Sequence, residues 1–160
     1  MNELANFQHR CIQHDICDEY LLAWNNAKDK KTLIDLALSS EGCDFMCKSI
    51  TEKWGIDKKW FKANFSAFAN GRYKMNKNYS SCFFIDYKGS ILANTTLILV
   101  IDSDIIIDVP SYMITKVYVC GNSKVKIKGD GKCVVVIYGD NIEVEKTLKT
   151  RIIKPKDNGL

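Results

Sequence analysis

Three groups of residues in this chain have types and spacings that could do chemistry. The first lies in KWGIDKKWFKANFSAFANGRYK, residues 53–74, where Lys53, Lys58, Lys59, Lys62, Arg72 and Lys74 are interleaved with aromatic rings. Cations spaced along a helix suit a phosphate backbone or an acidic protein surface, and a solvated helix face over a buried one has the same pattern. Residues 48–77 carry eight basic side chains, Lys48 among them, against Glu52 and Asp57. Residues 1–47 carry four against eight acidic ones, so a chain of formal charge +4 concentrates its positive charge in this stretch.

The second group is His9-Arg10-Cys11-Ile12-Gln13-His14-Asp15-Ile16-Cys17, which holds both histidines of the chain. Zinc needs ligands that converge on a tetrahedron. On a continuous helix His9 points away from the arc shared by Cys11, His14 and Cys17, and a break at Asp15 scatters them differently. A site would need partners such as Cys43 and Cys47, and there is no close-spaced cysteine pair of zinc-ribbon type, so neither metal nor cofactor is expected. Both histidines are far in sequence from Cys82, Cys120 and Cys133, which leaves no nucleophile–base pair to identify. The third group, Asp102, Asp104 and Asp108, flanks Ile105-Ile106-Ile107 and reads as an outward polar edge rather than a carboxylate pair. Enzymatic activity is not expected.

These groups have to be positioned by two kinds of element. Up to about Lys74 there is no proline, and apolar residues recur at three- and four-residue intervals, which predicts short helices near 2–13, 16–27, 30–38 and 43–53. Ser39, Ser40 and Gly42 mark the break before the last of these. Gly55 ends it, Asp57 caps the next helix, and Asn70-Gly71 stops that one. Phe61, Phe65 and Phe68 share one face of this helix, as a buried stripe requires.

From Tyr79 the sequence turns to β-branched and aromatic runs separated by Gly89, Pro110, Gly121-Asn122, Gly129-Asp130-Gly131 and Gly139-Asp140-Asn141. At least seven short strands follow. Glycines at 121, 129 and 139 give a rhythm of eight to ten residues, which a β-solenoid or roll and an antiparallel sandwich satisfy equally. The expected class is therefore α+β, with a helical head over residues 1–77, a β domain over 78–148 and a basic tail over 149–160.

Seven irregularly spaced cysteines in a chain that is 46% hydrophobic argue for reduced core thiols, and no run is long and apolar enough for a membrane span. A cytoplasmic protein with no membrane partner is expected.

Around Gly55 and Ile56, with Ile50 and Trp54 before them and Phe61 after, the chain resembles the helix-turn-helix of phage-repressor DNA-binding domains. It differs from them at Thr51, at Asn64 and in the position of Asn70-Gly71. The whole chain also looks like small lysine- and asparagine-rich proteins of bacteriophages and mobile elements. The resemblance implies a non-enzymatic binding protein in a bacterial host cell. Lys48, Lys53, Lys58, Lys59, Lys62 and Lys74 would attract phosphate, and Asn64, Asn70 and Arg72 would add specificity. Two other readings stay open: a phage inhibitor that blocks a host defence protein such as a nucleic-acid-guided nuclease, and a β-solenoid assembly protein that forms homo-oligomers through its β half.

Overall fold

The computed structural model describes residues 18–54, 56–65, 72–74 and 80–155, with backbone only for residues 72–74 and 80. Its helices are α1 (Asp18–Asn26), α2 (Lys30–Ala37), α3 (Ser40–Thr51) and α4 (Lys58–Phe65). Local chemistry sets their ends. The Asp29 carboxylate accepts the Thr32 N–H at 2.8 Å at the start of α2, and Asp57 accepts the Trp60 N–H at 2.7 Å at the start of α4.

Ser39 caps α3 by accepting the Gly42 N–H at 3.1 Å. Gly42 therefore lies inside the first turn of α3 and does not break it. The reason is a close approach: a Cβ there would stand 2.1 Å from the Leu36 carbonyl oxygen, so only glycine lets α3 start against the end of α2.

The strands are β1 (Arg72–Lys74), β2 (Ser80–Ile85), β3 (Lys88–Leu92), β4 (Leu97–Ile101), β5 (Asp104–Asp108), β6 (Ile114–Cys120), β7 (Ser123–Lys128), β8 (Lys132–Ile137), β9 (Ile142–Glu145) and β10 (Thr150–Ile153). Sheet I has the order β1-β2-β4-β6-β8-β10 and sheet II the order β3-β5-β7-β9. Every pairing from β2 onward is parallel, and only β1 runs antiparallel, along β2. The β half is a parallel β-solenoid with one strand from each sheet per coil, which removes the antiparallel-sandwich alternative.

Successive coils are offset by 16 residues (Ser81 to Leu97), 19 (Leu97 to Lys116), 18 (Ile114 to Lys132) and 17 (Cys133 to Thr150). The eight-to-ten-residue rhythm thus marks half-coils. Asp86, Asp102, Gly121 and Gly139 follow β2, β4, β6 and β8 and all have positive φ, so left-handed residues stack at one corner of the solenoid. The C-terminal stretch read as a basic tail supplies β10, which pairs with β8. Its Lys and Arg residues hid a strand whose Ile152 packs on the inner core beyond Val135.

The inner core between the sheets is built from columns such as Cys82–Ile98–Val117–Val135 and Phe84–Val100–Val119–Ile137. The other face of sheet I is apolar too, and the helices cover it. Trp24, Leu33, Ile34, Met46, Phe61 and Phe65 pack there with Phe83, Leu99, Tyr118 and Val136 in one cluster. Burial on both faces is what nearly continuous apolar strands such as LILVI require.

Sheet II turns its outer face to solvent. Lys88, Asp104, Lys124 and Glu143 follow one another across its strands, alternating in charge, and Lys124–Glu143 (3.3 Å) and Lys126–Glu145 (2.5 Å) form ion pairs. Asp104 and Asp108 lie on this exposed face, as a polar edge should.

Candidate functional site

The aromatic stripe of α4 points inward. Phe61 and Phe65 are fully buried, with ring centroids 4.2 Å apart, and both meet Phe83 of β2 edge-on. Phe68, Asn70 and Gly71 lie outside the described residues. Two of the three lysines of α4, Lys58 and Lys62, are not free cations awaiting phosphate. Lys58 Nζ lies 2.8 Å from Asp86 and 2.7 Å from Asp102, and Lys62 pairs with the other oxygen of Asp86. Both carboxylates belong to the left-handed corner column, so α4 is tied to the solenoid by charge on one side and by its phenylalanines on the other.

Lys48 pairs with Asp44 at 3.1 Å, one helical turn away, and the Asn64 side chain donates to the Trp60 carbonyl. Lys53 and Lys59 are exposed and have no ion-pair partner among the described residues. The backbone places Arg72 and Lys74 in β1. Three lysines of the basic stretch, Lys48, Lys58 and Lys62, are thus paired within the chain, and α4 lays its apolar face on β2.

Hydrogen bonds from Lys58 and then Lys62 hold the Asp86 carboxyl below the usual carboxylate range, and the bonds to Asp102 and Asp86 raise the Lys58 ammonium above its own. The depressed Asp86 contributes stability above its unfolded value of about 4, which is lost as pH falls through the folded value. The raised Lys58 contributes stability below about 10, which is lost as pH rises through its folded value. Both contributions are small because the partners are more than a third exposed at Asp86 and Lys58. Asp86→Asn should flatten the acid limb of a stability–pH curve below about pH 4 and leave the neutral baseline within ~1 kcal/mol, because asparagine tolerates the left-handed backbone. An unchanged acid limb in urea titrations would remove the clamp from the stability of the fold.

The buried thiols are core residues. Cys43, Cys47, Cys82, Cys120 and Cys133 are buried and in no disulfide, and burial pushes the Cys133 thiol up to about 12. Among the described residues no three His, Cys, Asp or Glu side chains converge as a metal site, and the His9–Cys17 cluster lies outside them. No helix of the described residues is long and apolar enough to cross a membrane.

A cleft of about 460 Å³ opens elsewhere, between the start of α3 and the helix-covered face of sheet I. Such a volume lies within the roughly 300–1,000 Å³ typical of ligand pockets. Tyr20 and Phe45 come from the helices, Tyr118, Val136 and Tyr138 from the sheet side, and Ser40, Glu41, Asp44 and Lys116 supply its polar groups. The Tyr118 and Tyr138 rings stack at 6.4 Å, with planes 18° apart.

Each tyrosine is held by its hydroxyl. Tyr118 shares a 2.6 Å hydrogen bond with Ser40, Tyr138 donates to Asp44, and Tyr20 donates to the Leu36 carbonyl at 2.8 Å. Burial first, and the Asp44 carboxylate second, push the Tyr138 phenol well above the ordinary tyrosine value, so it stays a donor. The aromatic walls are therefore preorganised.

Sequence reasoning named none of these side chains as a site. The signal for them lay in MITKVYVC, where Lys116 and Tyr118 alternate onto one face of a strand otherwise built from apolar and β-branched residues. Comparison with family models, curated proteins and solved structures finds no match for this chain.

Proposed function

We propose that this chain is a non-enzymatic ligand-binding module, in which the β-solenoid is a rigid platform and the cleft between α3 and sheet I is the binding site. The supporting observation is a preformed aromatic cleft whose polar groups converge from α3 and from β6, elements joined only by tertiary packing. Rigid walls lower the ordering cost of binding.

Planar aromatic compounds screened by saturation-transfer NMR should bind, and Glu41→Trp, made at an exposed rim position in the first turn of α3, should abolish the signal without lowering the melting temperature. Binders indifferent to that substitution would move the site elsewhere.

A second reading, nucleic-acid binding by the helical head, is favoured by the exposure of Lys53 and Lys59 without carboxylate partners. Its surface is smaller than the sequence suggests. Lys53/Lys59→Glu, which leaves the Lys58 and Lys62 pairs intact, is the fitting control. Duplex and single-stranded DNA titrated at low and physiological salt should show binding that falls steeply with salt and is lost in this variant. Binding that survives both changes would exclude a phosphate-directed surface here.

A further inference from the structure

The ligand class follows from one side chain whose place in the sheet its neighbours do not explain. Lys116 lies on the helix-covered face of sheet I, in register between Leu97 on β4 and Val134 on β8. Both of these pack against the hydrophobic cluster under the helices. Among the described residues no carboxylate lies within 4.0 Å of its ammonium. Instead Lys116 Nζ sits 4.9 Å over the Tyr118 ring and 3.5 Å from Ser40 Oγ, facing the cleft. A cation over an aromatic face is held by the negative face of the ring, which suits an electrostatic role.

The acidic groups of the cleft do not answer it. Asp44 uses one oxygen for the Tyr138 hydroxyl and the other for Lys48 at 3.1 Å, and Glu41 is exposed at the rim. Ser40 begins α3, so its hydroxyl lies at the positive end of a 12-residue helix. Lys116, the Ser40 hydroxyl and that helix end together leave one unmet positive charge beside aromatic walls.

We propose that the cleft binds a planar aromatic compound carrying one anionic group, its ring against the aromatic walls and its anion between Lys116 and Ser40. This rests on the cleft being the binding site. Specificity for the anion comes from a charge-assisted hydrogen bond in a partly desolvated setting, which is stronger than a neutral one.

The test uses four probes of one ring size titrated calorimetrically into the full chain: 1-naphthoate, 1-naphthyl phosphate, neutral 1-naphthamide and 1-naphthylmethylammonium. The better of the two anions should bind at least about tenfold more tightly than the amide, the scale of one charge-assisted hydrogen bond, and the ratio between the two anions identifies carboxylate or phosphate as the preferred group. Lys116→Met, which suits the apolar register of Leu97 and Val134, should erase that advantage, with Lys116→Gln as a second variant. The comparison among probes on the unaltered chain stands without either.

If the amide or the ammonium probe binds as tightly as the anions and Glu41→Trp blocks it, the anionic class is wrong and the cleft remains the site. If no probe binds, or binding ignores Glu41→Trp, the cleft reading falls and the ligand class with it.

Discussion

Phe61→Ala is expected to destabilise the protein by about 3–5 kcal/mol, the usual cost of deleting a fully buried phenylalanine. The ring is completely buried, stacked on Phe65 at 4.2 Å and edge-on to Phe83 at 5.4 Å, so its removal leaves a cavity lined by rings that cannot close over it. An eight-residue helix has no independent stability, and the exposed pairs from Lys58 and Lys62 to Asp86 and Asp102 are worth little alone. Hydrogen exchange should show α4 losing protection first while β4 and β6, in the middle of sheet I, keep theirs. Urea unfolding gives the magnitude. A loss below about 1 kcal/mol, the range of an ordinary surface change, would mean that the phenylalanines do not anchor α4.

Gly129→Ala is expected to cost ~3 kcal/mol or more, combining backbone strain with a clash. Gly129 has φ of 86°, and an added Cβ would stand 2.4 Å from the Val109 carbonyl oxygen. Val109 cannot yield easily: its carbonyl accepts the Gly131 N–H and its own N–H donates to Lys128, both at 2.9 Å. Gly139 is the comparison. It also has positive φ, at 96°, but its nearest neighbour for a new Cβ is a Thr51 methyl at 3.6 Å, so Gly139→Ala should cost only the left-handed strain of about 1–2 kcal/mol. Equal losses for the two variants, measured by thermal and urea unfolding, would mean that the corner after β7 is not a close backbone contact.

The parts of the fold that were legible rest on short-range chemistry. The Asp57 cap of α4, the buried face of Phe61 and Phe65, and the passage from helical to β periodicity each depend on residues a few positions apart. The glycine rhythm fitted solenoid turns and an antiparallel sandwich equally, because sequence alone does not reveal that consecutive strands belong to different sheets. β10 was missed because an edge strand tolerates Thr, Arg and flanking lysines, which a composition reading assigns to a tail.

The candidate site was less legible, for the same reason in reverse. Lys58 and Lys62 have the spacing of a phosphate-binding face, yet their partner Asp86 is 28 and 24 residues away and stands at a corner that exists only once the coils form. Ser40 and Tyr118 are 78 residues apart, and Asp44 and Tyr138 are 94 apart. Neither pair leaves a local trace.

By itself, then, the amino-acid sequence determined the helical head, the β half, the Asp57 cap and the buried face of Phe61 and Phe65, because backbone propensity and apolar periodicity act over one or two turns. Only the tertiary structure decided that the coils run parallel, that Lys58 and Lys62 are spent on the solenoid, and that a cation and four aromatic rings meet in a cleft. Those outcomes depend on which buried faces pack together, and that choice is made by area and shape complementarity between segments tens of residues apart.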